Sequence, residues 1–272
     1  MKIAGIIRGV MDFWFPWSCA VCRTGFEGRP GPLCSKCHTA LRKLEDEPSC
    51  PVCAASLPMH RSPCPYCKGK GWPNFERVVR LTSYQDPVGA MVRHLKYHRG
   101  WGLGEELANR LLEQQRVQQV LEQTQVLVPV PLHWRRQLVR GYNQAEVIAR
   151  HLAAAGPKRI PVARPLRRVR NTETQTHLHS HAKRASNLRD AFALVDGRPL
   201  AGRHVTLVDD VWTTGATMQA IARVLKTARP ASLSAIVVAA ADPRGIERGP
   251  DGKRLAGIGA QISPTPSSIP QD

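Results

Sequence analysis

From residue 78 onward, apolar positions alternate between the periods of strands and of helices. Short apolar runs of strand length are separated by longer segments in which apolar residues recur every three or four positions. The predicted strands are 78–84, 126–130, 205–208 and 233–239, and the predicted helices are 88–97, 105–120, 145–154 and 216–228. This order of elements is typical of an open, doubly wound sheet. We therefore predict an α/β domain.

The stretch 204–228 carries the most informative polar residues of this domain. A short apolar strand leads to two aspartates, a Thr-Thr-Gly turn follows, and then an amphipathic helix begins. Ligands of open α/β sheets bind at the carboxyl ends of strands, where backbone N–H groups at a helix N-terminus attract phosphate. The turn is therefore predicted to hold the 5′-phosphate of a sugar, with Thr213, Thr214, Gly215, Ala216 and Thr217 as binding residues.

Asp209 and Asp210 precede that turn by a short step. Carboxylates accept hydrogen bonds from diols and bind Mg²⁺, so both are predicted to hold the ribose hydroxyls and the accompanying metal. Gly215 lets the backbone approach the ligand, and we expect a side chain at this position to enter the phosphate site. An Asp that ends a strand and a Thr that caps a helix would explain only one or two of these residues.

All eight cysteines lie before residue 68 and form four C-x-x-C pairs: Cys19/Cys22, Cys34/Cys37, Cys50/Cys53 and Cys64/Cys67. Two such pairs complete a tetrahedral site of four thiolates, so the four pairs predict two structural zinc ions. Disulfides or redox chemistry are the competing interpretations, and the reducing compartment that we expect favours zinc. The pairing stays open. Neighbouring pairs give two successive zinc ribbons, whereas pairing the first with the third gives a cross-braced module.

Composition divides the chain into three predicted parts. Residues 1–72 contain a short N-terminal amphipathic helix and the cysteine module, 73–242 form the α/β domain, and 243–272 are a tail rich in Pro, Gly and Ser that we expect to be disordered. Charges interrupt the N-terminal apolar stretch, and no apolar run reaches the roughly 20 residues that span a bilayer. We therefore expect a cytoplasmic protein without a transmembrane helix.

The formal net charge of +18 is concentrated in the middle of the chain. Between His133 and Asp190 lie thirteen Lys or Arg residues and three acids, so this stretch alone carries +10. Such a field attracts phosphorylated ligands and polyanions, including single-stranded DNA. Three aromatic residues are candidates to stack on bases: Trp101, Trp134 and Tyr142.

Several motifs together resemble the ComF family, which includes GntX-type proteins. Residues 209–217 are similar to the motif with which type I phosphoribosyltransferases bind 5-phosphoribosyl 1-diphosphate (PRPP). Further similar segments are Val128-Pro129-Val130-Pro131-Leu132-His133, Arg140-Gly141-Tyr142-Asn143-Gln144, Thr172-Glu173-Thr174-Gln175, Arg184-x-x-Asn187, Phe192 and the cysteine pairs. The resemblance spans about residues 12–241. It implies a Rossmann-like type I phosphoribosyltransferase domain with a hood, preceded by a double zinc-ribbon module.

The resemblance also implies roles for single residues. Val130 and Pro131 would belong to the loop that holds the diphosphate, and Arg140 would neutralise its charge. In related enzymes a loop closes over the ribose, and from the corresponding segment here Lys183 or Arg184 would reach the leaving diphosphate. Lys96 stands where the family also carries a lysine, but the sequence assigns it no role.

ComF relatives are associated with DNA uptake during natural transformation and with the use of DNA as a nutrient. Two functions follow from this resemblance. One is a phosphoribosyltransferase that binds PRPP with Mg²⁺ and has an unnamed acceptor. The other is an accessory protein that keeps the fold, binds single-stranded DNA and works with other competence proteins. Many purine-salvage relatives carry an Asp where this chain has Thr213, which argues against a standard purine-salvage activity.

Overall fold

A computed structural model of the chain describes residues 18–25, 31–57, 64–97, 101–169, 190–241, 247–248 and 254–255. The helices in these ranges are α1 (Ser35–Glu45), α2 (Val88–Tyr97), α3 (Trp101–Glu113), α4 (Gln115–Gln123), α5 (Trp134–Arg140), α6 (Gln144–Ala155) and α7 (Ala216–Lys226). The strands are β1 (Arg77–Ser83), β2 (Val126–Pro129), β3 (Leu166–Arg168), β4 (Phe192–Leu194), β5 (His204–Trp212), β6 (Ser232–Ala240), β7 (Glu247–Arg248) and β8 (Arg254–Leu255).

Four parallel strands form the central sheet in the order β1-β6-β5-β2. Because successive side chains of a strand point to opposite faces, β5 places Val205 and Leu207 in one apolar layer and Val208 in the other. Because these strands are covered on both faces, nearly all of their residues are apolar, and such continuous apolar runs can be recognised in the sequence. The predicted α/β class is confirmed.

Helices cover both faces of this sheet. The first layer packs α2, α3, α4 and α6 against it, and α7 packs with β3 and β4 on the opposite face. Strands β3 and β4 pair antiparallel as a separate two-stranded sheet. This small sheet lies beside the C-terminal end of β2, where its residues line a cavity together with Pro129.

Two predicted boundaries are wrong for local reasons. The expected single helix 105–120 is two helices, because Gln114 adopts extended backbone angles between α3 and α4. The strand predicted at 205–208 continues to Trp212, because β5 keeps pairing with β6 as far as Ala240. The aspartates therefore lie within a strand and not in a loop. Helices α1 and α5 were not predicted, because both are rich in polar residues and α5 has only seven residues.

The cysteine module packs directly on the α/β domain. Helix α1 begins within the second cysteine pair, directly after Cys34, and inserts Leu41 into the layer of α2 and α3. Its last residue, Glu45, accepts a hydrogen bond from Arg110 on α3 at 2.9 Å, and both side chains are buried. Within the described ranges, no helix is long and apolar enough to cross a lipid bilayer. In the predicted tail, the structure describes only the antiparallel pair of β7 with β8.

Candidate functional site

Strand β5 carries the acid pair, Asp209 and Asp210, near its carboxyl end at the edge of the sheet. Asp209 pairs with Val237 of β6, so its position is fixed by the sheet itself. On the other side, the N–H of Val130 donates to the carbonyl of Val208 at 2.9 Å. Because parallel strands end at one edge, the loop 130–133 lies beside the acid pair.

Lys96 provides the charge partner that the sequence did not reveal. Its Nζ lies 2.9 Å from Oδ2 of Asp210, and the two side chains are only 25% and 11% exposed. The lysine stands in the last turn of α2, a helix whose other face is buried in the core. A lysine on a largely buried helix is expected to have an acidic partner. The sequence does not show that this partner is Asp210, because the two residues are far apart in the chain.

The acid pair is electrostatically strained. Burial, and after it the neighbouring Asp210 carboxylate, raise the pKa of Asp209 to about 7. The Asp210 N–H, which donates to Oδ1 of Asp209 at 2.8 Å, acts in the opposite direction, as do Lys96 and Arg168. Burial works against the charge of Lys96, but Asp210 outweighs it, and the pKa of the lysine is raised. Two carboxylates thus lie beside one ammonium group. A bound divalent cation, which prefers oxygen ligands, would neutralise the remaining negative charge.

The turn after β5 has the features of an anion site. Thr213 and Thr214 are exposed, and Gly215 precedes α7 with a φ of 73°. Oγ1 of Thr214 lies 3.4 Å from the N–H of Ala216, so the hydroxyl holds this amide only weakly. The first turn of a helix leaves its N–H groups without intrahelical acceptors and carries a partial positive charge. In α7 these free N–H groups lie at its N-terminus, next to the turn that follows the acid pair.

Gly215 has a different steric role from the predicted one. A Cβ added there would lie 3.0 Å from the indole of Trp212, tighter than ordinary contacts, and the positive φ would strain any L side chain. The expectation that a side chain would enter the phosphate site is therefore wrong in its direction. The glycine is needed because the turn folds back onto the ring of the residue that ends β5.

The loop 130–133 ends in a histidine that starts α5. Nδ1 of His133 accepts from the N–H of Arg135 at 3.3 Å, which caps the helix. Burial, followed by Arg135, Arg168 and Arg136, lowers the pKa of His133, so its imidazole is neutral at pH 7. A neutral imidazole in a field of arginines neither adds charge nor competes with them for a bound anion.

The basic residues predicted for catalysis are placed only in part. Arg140 lies at the end of α5, with its guanidinium 5.5 Å from the ring of Tyr97 and 3.3 Å from Oε1 of Gln144. Tyr97 is the neighbour of Lys96 in α2, and Lys96 contacts the acid pair. Arg140 therefore lies near the C-terminal end of α2, on the same side as Lys96. Lys183 and Arg184 lie outside the described residues, and their predicted role stays a prediction.

A cavity of about 520 Å³ opens beside the loop 130–133, between β3 and the start of α6. Its charged lining consists of Glu146, Arg164, Arg167 and Arg168. Arg164 and Arg150 both donate to Glu146, and the hydrogen bond from Arg164 is the main reason that the pKa of this acid is lowered. Burial lowers the pKa of Arg168, and Asp209 acts against that effect. Arg168 thus connects the cavity electrostatically with the acid pair, a role that its position in a long basic run concealed.

The eight cysteines form two clusters of four. Cys19, Cys22, Cys34 and Cys37 form one, and Cys50, Cys53, Cys64 and Cys67 form the other, with all sulfurs of a cluster within 4.8 Å of one another. Sulfur–sulfur distances of 3.7 and 3.8 Å match the roughly 3.8 Å edge of a tetrahedron with Zn–S bonds of about 2.3 Å. All eight thiols are free of disulfides. Of the two open pairings, neighbouring pairs are the ones that the structure brings together.

The aromatic residues proposed to stack on bases differ in exposure. Trp134 is 58% exposed, and the guanidinium of Arg135 lies 5.3 Å from its ring centre. Tyr142 is buried and its hydroxyl donates to the carbonyl of Leu95, so its predicted role in stacking is wrong. The side chain of Trp101 lies outside the described residues.

Comparison with family models finds two domains in this chain. The model for the phosphoribosyl transferase domain matches residues 138–253, and the model for the double zinc ribbon domain matches residues 10–68. The first match contains the acid pair and the turn, and the second contains all eight cysteines.

Similar proteins carry names that refer to competence or to DNA utilization. Competence protein F of Haemophilus influenzae is 31% identical over 223 residues, which are 80% of this chain and 93% of that protein. The DNA utilization protein YhgH of Salmonella typhimurium is 33% identical over 217 residues, which are 77% of this chain and 91% of that protein. Competence protein ComFC of Bacillus subtilis is 33% identical over 114 residues, 42% of this chain and 43% of that protein.

Proposed function

This chain belongs to the ComF/YhgH family, which joins a double zinc ribbon to a phosphoribosyltransferase domain, and from that premise we propose that it binds PRPP together with Mg²⁺. The observation that carries the proposal is the acid pair near the end of β5, followed two residues later by an exposed turn at the N-terminus of α7. Carboxylates suit the ribose diol and its cation, and the turn suits the 5′-phosphate.

Each part of the ligand has its proposed partner. Amides and hydroxyls of the turn 213–217 hold the 5′-phosphate, and Asp209 and Asp210 accept from the ribose hydroxyls and ligate Mg²⁺. The loop that begins at Val130 and Pro131 is proposed to lie beside the diphosphate, with donors from its later residues, because the N–H of Val130 is bonded to Val208 and Pro131 has no N–H. Lys96 orients Asp210 before the ligand arrives, since its ammonium group already lies at hydrogen-bonding distance from that carboxylate.

Transfer of the phosphoribosyl group breaks the bond between C1′ and the diphosphate oxygen and places positive charge on the ribose. The chain's task is to hold the sugar and to stabilise the departing diphosphate, for which we propose Arg140, Lys183 and Arg184. Mg²⁺ would supply further charge neutralisation there. Thr213 offers no carboxylate for proton transfer to a purine base. The acceptor is therefore expected to need no such acid from the turn.

The cysteine module is proposed to be structural. Each cluster offers four thiolates, which fill the coordination sphere of zinc and leave no position for a water molecule. We propose two zinc ions that stabilise a module at 1–72, an α/β domain at 73–242 that binds the ligand, and a tail at 243–272.

The direct test is calorimetric titration of PRPP with and without Mg²⁺. Replacing both acids, Asp209→Asn and Asp210→Asn, should weaken binding by roughly tenfold or more, because charge-assisted hydrogen bonds are worth about 1.5–3 kcal/mol each. The dependence of binding on Mg²⁺ should disappear as well. Asp196→Asn is the matched control, since that acid pairs with Arg198 outside the site. Unchanged PRPP binding in the folded double variant would refute the assignment.

A second function, binding of single-stranded DNA, is favoured by the surface of α5. None of the seven residues of this helix is buried, and they include Trp134 and three arginines. An exposed aromatic ring among cations suits bases and phosphates of a single strand. We propose that this surface accompanies PRPP binding in a protein that takes part in DNA uptake or utilisation. The salt dependence of DNA binding tests this function.

A further inference from the structure

The segment between the second cysteine cluster and β1, residues 72–75, contacts the α/β domain on both sides of the proposed phosphate turn. On the side of the cluster, Nε1 of Trp72 donates to the carbonyl of Cys53 at 3.0 Å. The N–H of Val78 in β1 donates to the carbonyl of Val52 at 2.9 Å. Trp72 packs against the apolar core of the cluster and against the core under α7. It is therefore shared between the two domains.

Before the turn, this segment contacts Trp212, the last residue of β5. The ring centres of Trp72 and Trp212 are 5.1 Å apart, and Phe75 meets the same indole edge-on at 5.5 Å. Trp212 is almost completely buried, and among the described residues its Nε1 has no hydrogen-bond acceptor. Its orientation is thus set by ring packing, to which Trp72 and Phe75 contribute directly.

After the turn, the same segment holds the first helical turn of α7. Nδ2 of Asn74 donates to Oε1 of Gln219 at 2.8 Å, and Nε2 of Gln219 donates to the carbonyl of Pro73 at 2.7 Å. Between these two points of attachment lies Gly215, whose missing side chain faces the Trp212 indole at 3.0 Å. The three residues of the turn are therefore held at both ends by one short segment that starts at the cysteine cluster.

We propose that Trp72 is a positioning residue through which the second cysteine cluster orders the phosphate-binding turn. The proposal rests on the proposed function only in naming phosphate as the ligand of the turn. Trp72 touches no ligand. It holds the ring of Trp212 in place, and that ring packs against Gly215. The orientation of the N–H groups at the start of α7 is fixed as a result. Zinc bound by Cys50, Cys53, Cys64 and Cys67 would fix the Cys53 carbonyl and thereby complete the series of contacts.

The test combines hydrogen–deuterium exchange with PRPP titration on full-length, zinc-loaded protein. Trp72→Leu should raise the exchange of the amides at 213–219 by about threefold to tenfold and weaken PRPP binding by a similar factor, as expected for the loss of an aromatic pair. Trp72→Phe keeps the ring contact with Trp212 but loses the hydrogen bond to the Cys53 carbonyl, so it should restore only part of both. Tyr66→Leu is the matched control, because Tyr66 packs in the same cluster core.

The outcomes separate this proposal from the proposed function. If the wild type does not bind PRPP, the function fails, and exchange in the turn still decides whether Trp72 orders it. If Trp72→Leu does not fold, Asn74→Ala removes the second attachment and should raise exchange at the start of α7. Equal exchange of the turn in Trp72→Leu and Tyr66→Leu would overturn the proposal. So would a rise spread evenly over the domain, since that reports general destabilisation.

Discussion

Replacement of Asp209 by Asn should stabilise the folded protein at pH 8, although it removes a residue of the proposed site. The folded protein holds this carboxyl at a pKa of about 7, against 3.8 without the fold. Between these values the folded chain keeps a proton that the unfolded chain has released. The folded state is therefore favoured at low pH, and this advantage is lost as the pH rises through 7.

The size of the effect follows from the two pKa values. A tenfold change in proton affinity corresponds to about 1.4 kcal/mol, so full ionisation of Asp209 costs at most about 4 kcal/mol of folding free energy. Solvent screens part of this repulsion because the side chain is partly exposed, and about 2 kcal/mol is the expected gain for Asp209→Asn at pH 8. At pH 4 the gain should vanish.

Lys96→Met provides the opposite change at the same site. It removes the ammonium group 2.9 Å from Asp210 and leaves two neighbouring carboxylates without their closest cation. The loss of stability should be about 1–3 kcal/mol at pH 8 and smaller at pH 5, where the pair can share a proton. The slope of stability against pH should therefore become flatter in Asp209→Asn and steeper in Lys96→Met.

Urea unfolding of the zinc-saturated proteins at several pH values measures these slopes. The cysteines also titrate with pH, but they are the same in all three proteins, so their contribution cancels in the differences from wild type. A lower stability of Asp209→Asn at pH 8, or equal slopes in the two variants, would show that the acid pair is not strained. The electrostatic account of the site would then be refuted.

The remaining predictions concern the metal clusters and the basic helix. Protein purified without chelators should contain about two zinc ions per chain, and removing them should unfold the cysteine module; a folded, metal-free protein or one with four disulfides would contradict this. Affinity for single-stranded DNA should fall log-linearly with salt, and Arg135→Glu with Arg136→Glu should flatten the slope; affinity that is independent of salt would argue against phosphate contacts.

The sequence revealed those parts of the site that are contiguous in the chain. The acids, the turn and the following helix lie within a short stretch, and local rules for strands, glycine and helix ends apply to it directly. The cysteine spacing likewise predicted four-thiolate sites, because tetrahedral geometry is satisfied by two close pairs. What the spacing could not decide was the pairing, since both arrangements satisfy the same ligand count.

The missing parts depend on contacts between distant segments. Lys96 meets Asp210 only because α2 packs beside the end of β5, and Arg168 approaches Asp209 only through the small sheet of β3 and β4. Tyr142 was misassigned because exposure is not visible in a basic run, and its hydroxyl is satisfied inside the core. Burial and long-range pairing are products of the fold, so periodicity alone does not report them.

The strand order has a consequence for the synthesis of the protein on the ribosome. Strand β1 is made early, but its partner in the sheet is β6, and Arg77 pairs with Ser234. At about 5–20 residues per second, roughly 8–30 s pass between the synthesis of the two strands. During this interval the cysteine module can bind metal and fold while β1 has an unpaired edge. The nascent α/β domain therefore completes its sheet only after β6 has been made, and until then β1 exposes an edge that could pair with another chain.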